Sequence, residues 1–264
     1  MAERPRKLRT TRQRLREVLL LAMLCMLTAC RAPHGTVLTV SAAASLSDAM
    51  QEIEAAYQRE HSDVTLQNNF GSSGTLAQQI EHGAPVDVFL SAAAEPMNDL
   101  EARGLILAET RRDLLRNTLV LIAPRDSALR SFQQLAGRSV RTIALGDPGS
   151  VPAGKYAQQT LTSLQLLDAV RAKLVLAGDV RAVLAYVATG NADAGLVYAT
   201  DALVSGNVRV VAAAPEGTHD PIVYPEAAIR TGRNEATARA FADYLNSPAA
   251  RAIFLKHGFT IASP

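Results

Sequence analysis

A buried strand that turns sharply into an amphipathic helix is written into residues 38–57. The same kind of unit returns further along, which commits the chain to alternating strands and helices. Leu38, Thr39 and Val40 favour strand, and the small residues Ala42, Ala43 and Ala44 let backbone approach closely. Met50, Ile53, Glu54 and Tyr57 then follow at helical spacing. Ser45, with Asp48 three residues on, matches a capping box, so Ser45 is expected to cap the helix. A helix N-terminus carries unpaired N–H groups and about half a positive charge, so a turn of this kind can receive an anion.

The chain opens with Arg4, Arg6, Lys7, Arg9, Arg12, Arg14 and Arg16, followed by an apolar run over 18–29. That run is shorter than the roughly 20 residues a membrane-spanning helix needs, and it fits a signal sequence over 1–29. It ends in Leu27-Thr28-Ala29-Cys30, which resembles the lipobox of bacterial lipoproteins. The resemblance implies cleavage before Cys30, a lipid on its sulfur, and a spacer over 30–36. The expected location is the periplasm or cell envelope, facing away from the cytoplasm and anchored to a membrane.

Seven of the 27 Lys and Arg and two of the 25 Asp and Glu lie in residues 1–29, which leaves 20 and 23 and a formal net charge of −3. The basic character therefore belongs to the targeting segment. The remainder has neither a Lys/Arg run nor aromatic-basic interleaving, so nucleic acid is not an expected partner. With Cys25 removed and Cys30 modified, no thiol is left for a disulfide, a metal or nucleophilic catalysis.

Strand and helix patterns then alternate: strands over 64–70 and 86–91, with helices over 75–82 and 96–103 that stop at Gly83 and Gly104. A second set has strands over 118–123, 141–145, 194–198 and 208–213 and helices over 153–164 and 180–189. After a return segment over 222–229 come helices over 235–245 and 248–257. The fold class expected is α/β, two lobes with mostly parallel sheets covered by helices; the ligand cleft between the lobes is what the family resemblance given below implies. Residues 37–118 and 226–264 form lobe 1 and residues 119–225 lobe 2, with hinge crossings over 117–124 and 224–230.

Three more turns can face an anion. Gly71-Ser72-Ser73-Gly74 lies between a strand and a helix and lacks the G-x-S-x-G spacing of a hydrolase elbow. Gly149 to Lys155 fits the start of a P-loop, but Tyr156 stands where a Ser or Thr is required, and Pro152 removes an N–H. Pro152 suits a helix start, with the N–H groups of Ala153 and Gly154 left free. Asp179 is a good N-cap for the helix that begins at Val180. Tyr198 ends a strand where ligands bind in α/β sheets.

Seven segments in order carry a resemblance: A-A-A-S-L from Ala42, G-S-S-G-T-L-A-x-Q-I-E-x-G-A-P-x-D-V-F from Gly71, L-V-L-I-A-P from Leu119, G-D-P-x-x-V-P-A-G from Gly146, D-V-R from Asp179, G-L-V-Y-x-x-D from Gly195 and G-F-T-I from Gly258. Together they resemble the periplasmic molybdate-binding proteins, the substrate-binding components of molybdate ABC transporters. The resemblance implies a type II periplasmic-binding fold that binds molybdate or tungstate and delivers it to a permease and its ATPase subunit. It implies a monomer without catalysis or cofactor. Ser45 and Ser73 are implied to offer hydroxyls and N–H groups, Ala153 and Val180 N–H groups, and Tyr198 its phenol. On the same resemblance all five are expected to touch the oxyanion and none to ligate the metal atom. Lys155 departs from the usual pattern. A carrier of sulfate or phosphate is the alternative within the binding class, and an enzyme on a similar fold is the alternative outside it. Against the enzyme, His34, His61, His82, His219 and His257 all fall outside the four turns.

Overall fold

The computed structural model describes residues 35–230 and 234–262, and two sheets carry the chain. The expected signal sequence, Cys30, His34 and nearly all of the spacer lie outside the described residues. In chain order the first elements are β1 (Thr36–Ala43), a 3-10 turn (Ala44–Leu46), α1 (Ser47–Glu60), β2 (Val64–Gly71), α2 (Ser73–Glu81), β3 (Val88–Leu90), α3 (Ala94–Ala102) and β4 (Arg112–Arg116). Then follow β5 (Leu119–Pro124), β6 (Ile143–Gly146), α4 (Pro152–Ser163), α5 (Leu167–Val170), β7 (Leu174–Ala177), α6 (Val180–Ala188), β8 (Ala194–Tyr198), α7 (Ala199–Ala202) and β9 (Val208–Ala213). The chain ends with β10 (Val223–Ala228), α8 (Glu235–Leu245), α9 (Pro248–Lys256) and β11 (Thr260–Ile261).

The first sheet has the order β11-β4-β10-β3-β1-β2 and the second β7-β6-β8-β5-β9, one for each lobe. Helices cover both faces, which is why Leu38, Val40, Ser41 and Ala42 are all buried although neighbours on a strand point to opposite sides. On α1 the apolar stripe Met50, Ile53 and Tyr57 is buried against the sheet, and Tyr57 meets Phe241 of α8 edge-on at 4.9 Å.

Pairing is parallel for β1 with β2 and β3, and for β6 with β7 and β8. The expectation of mostly parallel sheets needs correction here: β10 runs antiparallel to β3 and β4, and β5 antiparallel to β8 and β9. The cause is the crossings. β1, β6 and β8 end at the cleft, whereas β5 and β10, having just crossed from the other lobe, start at the cleft and run away from it.

The crossings are also narrower than the sequence suggests. β4 ends at Arg116 and β5 starts at Leu119, so residues 117–118 make the first. On the return, the Asp220 N–H still donates to Gln159 of lobe 2 while Val223 already pairs with Arg116, which leaves 221–222 for the second. Val223, Tyr224 and Pro225, expected in lobe 2, therefore sit in the first sheet.

Candidate functional site

Ser45, Ser73, Ala153, Val180 and Tyr198, scattered over more than 150 positions of sequence, line one cavity between the lobes. It offers about 10 Å³ to the centre of a water-sized sphere, room for one compact group and far below the roughly 300 Å³ at which sites for larger organic ligands begin. No charged side chain is among its described lining residues.

Each lining turn has its own local reason. Ser72 is the N-cap of α2 and accepts from the Thr75 N–H, which frees Ser73 to face the cavity. Pro152 opens α4 at a position where no N–H is missed, and Ala153 follows. Asp179 caps α6 by accepting from the Ala182 N–H at 2.9 Å, so Val180 is the first helical residue, whose N–H has no acceptor within the helix.

Ser45 is the exception. The structure corrects its expected role as a cap: Ser45 lies in the 3-10 turn, α1 begins at Ser47, and Leu46 precedes it without a side-chain cap bond. Its Oγ is 2.9 Å from the Tyr224 hydroxyl, and Asp48 pairs with Arg181 at 2.6 Å instead of closing a capping box. Three α-helix N-termini and one 3-10 turn therefore converge on the cavity, in place of four helix ends.

The P-loop resemblance dissolves in the same detail. Asp147 accepts from the N–H groups of Gly149, Ser150 and Val151 at 2.7–3.1 Å, so these three are not free to cradle a phosphate as a P-loop does. Its glycines serve packing: a Cβ on Gly154 would lie 2.0 Å from Gly146 O. Lys155 turns away to an exposed ion pair with Glu95 of lobe 1, beside a wider open groove, and does not line the inner cavity.

The cleft is closed. The Gly74 N–H of lobe 1 donates to Ser150 O of lobe 2 at 3.0 Å, and Arg181 of α6 reaches Asp48 and Ser45 O of lobe 1. The other side of Arg181 meets Asp201 of its own lobe at 2.7 Å, though without hydrogen-bond alignment. Asp201 is fully buried. Burial pushes its carboxyl up to about 7, against the opposing pull of the Arg181 guanidinium and of the Tyr198 N–H, which donates to it. The sequence placed Arg181 and Asp201 in motifs but offered neither a partner, because the three residues brought together come from distant turns.

Burial likewise holds the phenols of Tyr198 and Tyr224 well above their ordinary range, so both stay protonated and can donate. The Tyr198 hydroxyl faces Ala92 O across the cleft at 3.5 Å. Of the histidines in the described residues, His61 stacks on Tyr57, His82 bonds Gln78 O, His219 bonds Asp220 O and His257 pairs with Glu52, all away from the cavity.

The description "Bacterial extracellular solute-binding protein" fits residues 38–260. The putative ABC transporter substrate-binding lipoprotein YvgL of Bacillus subtilis is 47% identical over 225 residues, 84% of this chain and 86% of that one. The molybdate-binding protein ModA of Escherichia coli is 43% identical over 230 residues, 85% and 89% of the two chains. The solved substrate-binding domain of a putative molybdenum ABC transporter from Clostridium difficile superposes with a TM-score of 0.68 at 43% identity, covering 86% of this chain and all of that one. The chain belongs to the bacterial extracellular solute-binding proteins, the substrate-binding components of ABC transporters.

Proposed function

We propose that this protein binds molybdate or tungstate in the cleft, outside the cytoplasm, and hands the anion to an ABC permease driven by its ATPase subunit. The observation that carries the reading is a cavity lined by Ser45, Ser73, Ala153, Val180 and Tyr198, residues that offer neutral hydroxyl and N–H donors, with no charged side chain among the described lining residues. Hydrogen bonds to a charged group contribute about 1.5 to 3 kcal/mol each, so several donors hold a dianion without a salt bridge. The helix ends add their partial charge. Such a site favours a fully deprotonated tetrahedral oxyanion. Hydrogen phosphate brings an O–H that needs an acceptor, and no carboxylate is among the described residues that line the cavity. Sulfate is smaller, and donors fixed to helices and strands do not close on it.

Calorimetric titration of anion-stripped protein is expected to give tight binding of molybdate and tungstate, with sulfate and phosphate weaker by at least about a hundredfold, some 2.7 kcal/mol. Ser45→Ala, Ser73→Ala and Tyr198→Phe should each lose about 1.5 to 3 kcal/mol of molybdate affinity. Lys155→Ala should lose under about 1 kcal/mol and mainly change the salt dependence. Preference for sulfate or phosphate, or loss of binding in Lys155→Ala alone, would reopen the choice of ligand.

On the same reading residues 1–29 are removed, Cys30 is lipidated, residues 30–36 form a spacer, and the protein acts as a monomer held at the membrane. Fatty-acid labelling of cells should mark the protein, and Cys30→Ser should abolish the label. Label persisting in that variant removes the anchor from the proposal.

A further inference from the structure

Outside the cavity the Ser45 hydroxyl has one side-chain partner among the described residues, the Tyr224 hydroxyl at 2.9 Å. In that pair alone either oxygen can donate. The groups behind Tyr224 decide the direction. Asn117 Oδ1 accepts from the Thr118 N–H at 2.9 Å, which identifies the other amide atom as nitrogen, since a flipped amide would set donor against donor. Asn117 Nδ2 then donates both its protons, to Thr200 Oγ1 at 2.9 Å and to the Tyr224 oxygen at 3.2 Å. The Tyr224 oxygen accepts from Asn117, and Tyr224 is 1% exposed, so its own proton must find a partner in the protein. The Tyr198 phenol also lies beside Tyr224, but its interaction with Tyr224 raises its pKa further, as befits the donor of that pair, which leaves Ser45 Oγ at 2.9 Å as the acceptor. Ser45 Oγ accepts, and its proton is left to point into the cavity. Ser73 is set in the same way: its Oγ accepts from the Ala92 N–H at 2.9 Å.

We infer that Asn117 and Tyr224 are positioning residues that polarise the Ser45 hydroxyl, fixing it as a donor to the bound oxyanion and as a filter against ligands that still carry a proton. The inference deepens the oxyanion reading and rests on it. Both residues sit at the crossings, Asn117 in the first and Tyr224 just after the second, so the segments that bend as the lobes move also hold the proton order of the site. Tyr224→Phe keeps the ring and removes the donor. Ser45 Oγ is then free to accept as well as donate.

The experiment is a double-mutant cycle read by titration with molybdate, and with hydrogen phosphate as the protonated competitor. Tyr224→Phe is expected to weaken molybdate about three- to tenfold, the loss of one neutral hydrogen bond, and to narrow the molybdate-to-phosphate ratio. In the Ser45→Ala background the same change should cost less than about twofold, because the group it acts through is gone. Equal losses in both backgrounds overturn the relay. Proton NMR of the unmodified, ligand-free protein gives a reading that needs no variant to fold and no ligand to bind. A slowly exchanging Tyr224 hydroxyl proton with cross-peaks to the Ser45 β-protons supports the relay, and a Ser45 hydroxyl proton directed at Tyr224 overturns it. If neither molybdate nor tungstate binds the wild type, the oxyanion reading falls while this proton still decides the relay.

Discussion

Gly74→Ala is expected to hold the cleft open and weaken molybdate binding by about 2 kcal/mol or more, thirtyfold in Kd, while leaving the ligand-free protein as stable as before. A Cβ at this position would lie 2.6 Å from Ser150 O, 3.0 Å from its Cα and 3.1 Å from its carbonyl carbon, all backbone of the facing lobe. Backbone cannot swing aside as a side-chain tip can, so the lobes must part by several tenths of an ångström. On the proposed reading, that displacement would lengthen every bond from Ala153 and Val180 to an anion held by Ser45 and Ser73. Gly74 lies in the first turn of α2, where alanine suits a helix at least as well as glycine. The clash arises only across the closed cleft and leaves the packing within each lobe untouched, so melting without ligand should move by less than about 1 kcal/mol. Titration and ligand-free melting together decide it: unchanged affinity means that the Gly74–Ser150 approach does not belong to the liganded state.

Arg181→Met should destabilise the ligand-free protein by about 3 kcal/mol at pH 8.5, some 6 to 12 °C in melting temperature for a chain of this size, and by much less at pH 6. Arg181 and Asp201 belong to the same lobe, so the pair survives opening of the cleft. The sign follows from the carboxyl. Asp201 sits near 7 in the fold against 3.8 for the free side chain, so the folded state binds the extra proton between those values. Its contribution is fully present below about 4 and is lost as pH rises through about 7. Without the guanidinium the buried carboxyl moves higher still, and the loss continues above pH 7, where the wild type has levelled off. The gap between the two proteins therefore widens with pH. Equal penalties at both pH values would show that Asp201 is not ionised against Arg181.

How far the sequence could be read depends on how local each feature is. Gly83 and Gly104 do end their helices with positive φ, and Gly190 ends α6 in the same way. Helix 235–245 matches α8 end for end, because an acidic first turn and the buried stripe Ala238, Phe241, Ala242 and Leu245 are local signals. The four turns were likewise marked by Ser, Gly, Pro and Asp within a few positions of one another, whereas the choice of Ser73 over Ser72 and of the Val180 N–H came from the family resemblance. What escaped depends on distant partners. Arg112–Arg116 lacks clean alternation and becomes a strand only between β10 and β11. Leu174–Ala177 is an edge strand with Val175 and Leu176 exposed, so no buried pattern announces it. Ser45 carries a cap signature that its local sequence supports, and loses that role to Tyr224, 179 positions away. Strand direction follows from where the chain crosses between lobes, which no window of sequence contains.

The placement of β10 between β3 and β4 sets the order in which the protein can assemble. When a chain made from its N-terminus has reached residue 222, β3 and β4 have no neighbour to join them, and the first sheet exists as two unconnected pieces. The second sheet, drawn from one continuous stretch, can form by then. Lobe 1 must wait for the last 42 residues, which supply β10, α8, α9 and β11. The closing contacts span most of the chain, a topology that folds slowly because so much loop entropy is lost before they form. Until then one half of the candidate site is folded and the half that holds Ser45 and Ser73 is not. No ligand can be captured by a nascent or C-terminally truncated chain, and any protease that removes the final helices should abolish binding while leaving lobe 2 intact.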